Sequence, residues 1–140
     1  MSTRLSETER TNQLNSLATA LNAGGGAKIL LYSGSKPASK TGTPSGTLLR
    51  TFNANASFFS STSGNVGTAA VPIANVDTAA GGASPGLLAT WARITNNAGT
   101  FIMDVDAGTN SQELIVSPSA QIITGATITI TSLTITPGGA

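Results

Sequence analysis

"GLLATWARITNNAGTFIMDVDAG", residues 86–108, is the stretch on which the fold turns. Residues 88–95 and 100–106 are strand-like segments, and Asn96-Asn97-Ala98-Gly99 between them is the clearest hairpin signal in the chain. The same β code extends outward in both directions. "TGATITITSLTITPGGA", residues 124–140, alternates isoleucine with threonine, so Ala126, Ile128 and Ile130 share one face. Leu133 and Ile135 continue in the opposite phase. The adjacent polar pair Thr131 and Ser132 marks the slip and predicts a β-bulge there. Threonine's branched Cβ suits a pleated surface, and its face meets water or a neighbouring subunit equally well.

Further strands are expected at 29–32, 48–53, 57–61, 113–117, 121–123 and 127–136. A weaker one is expected at 66–76, where Pro72 marks an edge or a bend. Proline- and glycine-rich segments at 33–46 and 77–86 predict loops. About eight short strands at this spacing point to a mainly β fold, an antiparallel, jelly-roll-like β-sandwich over residues 27–140.

Residues 1–26 read differently. Ser6 and Glu9 have the spacing of a capping box, and Leu14, Leu17, Ala18 and Leu21 fall on one helical stripe. Gly24, Gly25 and Gly26 then supply the left-handed backbone that ends a helix. A helix over 6–23 follows, its narrow stripe lying on the sheet or on another subunit.

Composition limits the chemistry. Charged residues are 9% of the 140 positions and the net charge is +1, whereas serine and threonine together occupy 37. So weakly charged a surface favours association. The chain has no histidine and no cysteine, which removes the commonest general base, thiolate nucleophiles, disulfides and cysteine zinc sites. Seven basic residues, scattered, make no nucleic-acid stripe. The opening "MSTRLSETER" lacks the apolar core of a secretory signal, and no run approaches the ~18 apolar residues of a membrane span. Synthesis in the cytoplasm is the expectation, and the sequon Asn55-Ala56-Ser57 has no meaning there.

Two patterns invite a chemical reading. Ser33-x-x-Lys36 followed by Lys40-Thr41-Gly42 has the letters of serine penicillin-recognising enzymes, but here both fall in one loop instead of on a buried helix and a distant strand. Asp104 and Asp106 share a strand face and could hold a weak cation. A calcium loop starting at Asp104 would need glycine and glutamate where Thr109 and Ile115 stand. Asp77 or Glu113 could approach this pair, which is thin support for a carboxylate hydrolase. No catalytic, cofactor or metal residues are assigned. Trp91 reads as core, with Arg93 on the same strand parity and a guanidinium near the indole, or as an interface anchor.

The order of segments, a helix ending in glycines, "AKILLYSGSKPAS", "GTLLRTF", "GLLATWARITNNAGTFIMDVDAG" and "GATITITSLTITPGG", resembles small virion structural proteins of tailed bacteriophages over nearly the whole chain. That resemblance implies a non-enzymatic protein of the virion, made in the host cytoplasm. A decoration or cement protein of the head is favoured, with the major capsid protein as partner and a homo-oligomer, preferably a trimer, as its state. Nucleic acid, membrane and cofactors play no part in it. Interface candidates are Arg4, Arg10, Leu14, Leu17, Leu21, Tyr32, Trp91 and Arg93. A neck, collar or tail-fibre component is the alternative within the particle. A carbohydrate-binding β-sandwich is the alternative of another class, and it would want exposed aromatics.

Overall fold

A computed structural model describes residues 6–37, 44, 46–55, 57–62, 66–71, 73–74, 86–117 and 119–136. Arg4, Lys40, Thr41, Gly42, Ala56, Pro72, Asp77 and most of the expected 77–86 loop lie outside them. The fold is mainly β, 47% strand, with one helix near its start. Helix α1 spans Glu7–Asn22 and is followed by a single 3-10 turn, Ala23–Gly25. The strands are β1 Lys28–Ser33, β2 Leu48–Asn53, β3 Phe59–Ser61, β4 Gly67–Ala69, β5 Ile73–Ala74, β6 Leu87–Thr95, β7 Phe101–Gly108, β8 Leu114–Ser117, β9 Gln121–Ile122 and β10 Thr129–Ile135.

Hydrogen bonding links them in the order β2-β1-β6-β7-β8-β10-β4-β3, with β5 also on β10 and β9 also on β6. The sheet is mixed and curled, and β2, at one end of the path, comes round beside β5. Inside the curl lies one apolar core, which includes Ile29, Leu31, Phe52, Ala92, Ile94, Val105, Leu114, Val116, Ile128, Ile130 and Leu133. In β1 and β8 the core residues, Ile29 and Leu31, Leu114 and Val116, recur at every second position, because successive side chains of a strand leave opposite faces of the sheet.

The 96–99 turn forms as its residues demand. Gly99 N–H donates to Asn96 O at 3.0 Å, and the Asn96 side chain accepts from the Ala98 and Thr100 N–H groups at 3.0 and 2.9 Å. Gly99 has φ of 92°, open to glycine at little cost. The bulge expected at Thr131–Ser132 is present, where the β10–β8 register shifts between Ile130 and Ser132. Ile130 and Leu133 are both buried despite their opposite parity, because the extra residue turns the strand over.

One pairing departs from the expected antiparallel arrangement. β7 and β8 run parallel, Ala107 opposite Leu114 and Gly108 opposite Ile115. Parallel neighbours ordinarily need a long crossover. Here residues 109–113 suffice because the overlap is two pairs. The Gln112 side-chain amide packs over Gly108, its carbon 2.4 Å from where a Cβ would sit. Glu113 Oε1 then accepts the Asp106 N–H at 3.0 Å.

α1 begins as its spacing predicts, with Ser6 Oγ accepting the Glu9 N–H at 3.2 Å. Leu14 and Leu21 are fully buried, while Leu17 is half-buried against the core, so the stripe rests on the protein's own sheet. Gly67 sets the distance: a Cβ there would be 2.6 Å from Phe59 Cε1 and 2.9 Å from Leu14 Cδ2. Asn22 Oδ1, on the last turn, accepts the Phe58 N–H at 2.8 Å and pins the helix to the β3 side.

Candidate functional site

The face of β1, β6 and β7 opposite the core carries Tyr32, Trp91 and Arg93 of the interface candidates, together with Asp104 and Asp106. Register puts Tyr32, Trp91 and Asp106 in one cross-strand row and Leu30, Arg93 and Asp104 in the next. Tyr32 and Trp91 stack, their ring centroids 4.7 Å apart and their planes 12° from parallel. The indole N–H donates to Ser33 O at 3.3 Å. Trp91 is 0% exposed, so the Trp–Tyr stack forms a second packed layer outside the main core. An indole so enclosed offers no face on which a sugar ring could stack.

Arg93 lies between two rings, its guanidinium carbon 5.7 Å from the Trp91 centroid and 4.5 Å from that of Phe101. Rings of this kind attract a cation through the negative potential of their faces. The guanidinium also clasps Asp104 with two bonds, Nε to Oδ1 at 2.9 Å and an Nη to Oδ2 at 3.1 Å. Both side chains of this ion pair are nearly buried, 11% and 10% exposed. The bond from Asp104 is the main reason that the Arg93 pKa rises still higher than usual, with burial opposing it, and the side chain stays cationic across the physiological range.

Burial raises the Tyr32 phenol above its ordinary 10.0; the nearby Arg93 charge opposes the rise and the Asp104 charge adds to it. A raised folded-state pKa gives stability that is present in full below the unfolded value and lost as pH climbs through the folded one. Thermal stability is therefore expected to decline from about pH 10 upward, and Tyr32→Phe should flatten that decline. A melting series between about pH 8 and about pH 11 checks it; equal alkaline losses in both proteins would contradict it.

Ser33 and Lys36 are drawn into separate contacts. Ser33 Oγ accepts the Thr47 N–H at 3.1 Å, and Ser33 N–H donates to Thr47 O at 3.0 Å, so the pair forms the neck of the intervening loop. The Thr90 hydroxyl donates to Gly34 O and holds the same neck against β6. Lys36 Nζ reaches Asp106 Oδ1 at 2.9 Å, with side chains 40% and 54% exposed. Asp104 and Asp106 are thus each engaged by a cation, and Glu113 by a backbone N–H. A groove of about 420 Å3 lies alongside, lined by Asp104, Glu113, Thr134 and Thr136 among others. Among the described residues, no three acidic, histidine or cysteine side chains gather as a metal site.

Of the other candidates, Leu14, Leu17 and Leu21 belong to the interior described above, and Arg10 is half-buried. The Arg10 Nε is enclosed without a hydrogen-bond partner. An apolar surface that sequence reasoning did not single out lies at the start of β6. Leu87 and Leu88 pair with Ile122 and Gln121 of β9, and Leu87, Leu88 and Ile123 stay exposed, Leu88 to 54%. Consecutive apolar residues at a strand start give no periodicity from which exposure could be read. Comparison with protein-family models, with curated proteins and with solved structures finds no match to the chain. No described helix is long and apolar enough to cross a membrane.

Proposed function

We propose that the chain is a non-enzymatic structural protein of a tailed-bacteriophage virion, one that decorates and cements the head by binding the major capsid protein. The observation that carries this reading is how the few charges are used. Arg50 is buried, Arg93 is closed against Asp104, and Lys36 is held by Asp106. The exposed surface keeps Glu7, Glu9 and the mutually neutralised Lys36–Asp106 pair among many hydroxyls, with exposed leucines at 87 and 88. A surface of this kind suits repeated contacts made by shape, apolar area and backbone hydrogen bonds, each weak and many together. The order of sequence segments supports the same reading, and the preferred working state is a small cyclic homo-oligomer, a trimer first. The jelly-roll-like sandwich expected of the chain is read here as a sheet curled until its β2 end meets β5. A place in the neck, collar or tail fibre is the alternative within the particle.

Contacts without exposed ion pairs depend little on salt. Washed virions are expected to keep the protein in molar salt and to release it on heating or in chaotrope before the shell itself opens. Release by salt alone, followed by gel analysis of the washed particles, would contradict this mode of attachment.

A further inference from the structure

β2, one end of the hydrogen-bonded path, comes round beside β5, which pairs with β10, and one β2 side chain reaches the turn that leads into β10. Arg50 of β2 is 0% exposed. Its guanidinium donates to Ile123 O at 2.8 Å and to Ala126 O at 2.9 and 3.2 Å, and to its neighbour Leu49 O at 2.7 Å. Residues 123–126 are a tight turn between β9 and β10, closed by Ala126 N–H donating to Ile123 O at 3.0 Å. Gly125 takes φ of 90° at its third position, the conformation that a type II turn reserves for glycine. The turn therefore directs two carbonyls at one cation, which replaces in the dry interior the water that a buried charge has lost.

We infer that the 123–126 turn is a latch, held shut by Arg50, that closes the curled sheet and opens as a unit with β2 before the β6–β7 hairpin does. The joined residues are 73 and 76 positions apart, so the contact closes a long loop and forms only when both halves are in place. β6 and β7 need no such closure, since their pairing is local. Ile123, the first residue of the turn, is itself exposed, 39%, and water at a turn favours local opening.

Hydrogen exchange of the intact protein, read by mass spectrometry, tests this. In the native protein, amides of 48–53 and of 121–130 are expected to exchange together, and faster than those of 89–95 and 101–107. In Arg50→Met, which keeps length without the donors, the first two segments should exchange about 10- to 100-fold faster, with the hairpin nearly unchanged. Equal acceleration everywhere would overturn the latch, since Arg50 would then support only global stability; so would unchanged exchange at 121–130. Gly125→Ala covers the case in which Arg50→Met does not fold. Its Cβ meets nothing within 4 Å, so its effect is backbone strain in the turn alone. Faster exchange at both 121–130 and 48–53 supports the latch, and a change confined to 121–130, or none, overturns it.

Discussion

Trp91→Ala is expected to lower the unfolding free energy by about 3–5 kcal/mol, the usual cost of emptying a large buried aromatic site. The indole is wholly enclosed, and its removal leaves three neighbours without their contact: the Tyr32 ring stacked at 4.7 Å, the Ser33 carbonyl and the Arg93 guanidinium. The loss spreads because Ser33 is also the neck of the loop that follows β1, so two structures lean on one ring. Trp91→Phe keeps an aromatic partner for Tyr32 and should recover part of the loss, without the N–H bond. Trp91 is the only tryptophan, so urea unfolding is followed by circular dichroism instead of fluorescence. A cost below about 1 kcal/mol would mean that the outer layer contributes little packing.

Removing one partner of the Arg93–Asp104 pair should cost nearly as much. Asp104→Ala strips the guanidinium of its two-bonded carboxylate in a site where the two side chains are 11% and 10% exposed, and breaking such a buried pair typically costs about 3–5 kcal/mol. Lys36→Ala is the control. The Lys36–Asp106 contact is equally short, 2.9 Å, but 40% and 54% exposed, and water with side-chain entropy reduces such pairs to about 0–1 kcal/mol. Chemical denaturation of both variants separates the cases. Similar losses would show that burial does not govern these two pairs.

That ion pair also shows where sequence reading stops. The hairpin was legible because Asn96 and Gly99 carry the turn chemistry, and the bulge in β10 because the alternation visibly changes phase at Thr131–Ser132. Pairing across the hairpin was not. Counted straight back from Thr95–Phe101, Asp104 would face Ala92, but the register shifts by one residue so that it faces Arg93. Nothing in the letters Phe-Ile-Met marks that extra residue, since apolar runs lack periodicity. The parallel β7–β8 pairing was hidden for a related reason: an overlap of two residue pairs, Ala107 with Leu114 and Gly108 with Ile115, leaves no periodic signal in the letters. Arg50 was equally silent, because one arginine in a strand reads as surface until the distant 123–126 turn is folded against it. Tyr32, Trp91 and Arg93 were singled out from residue type and strand parity, and they do meet. Leu14, Leu17 and Leu21 were legible as a stripe, though only the structure assigns its partner as the chain's own sheet.

Copy number decides the proposed role most directly. The proposed virion role is tested by purifying particles of a phage whose genome carries this sequence and quantifying the protein against the major capsid protein by mass spectrometry with labelled peptides. A cement protein repeats with the lattice, so on the order of hundreds of copies per particle are expected, each attached by contacts that gain strength from number. About a dozen copies or fewer would transfer the protein to the neck or tail, and none in the particle would contradict the virion reading outright.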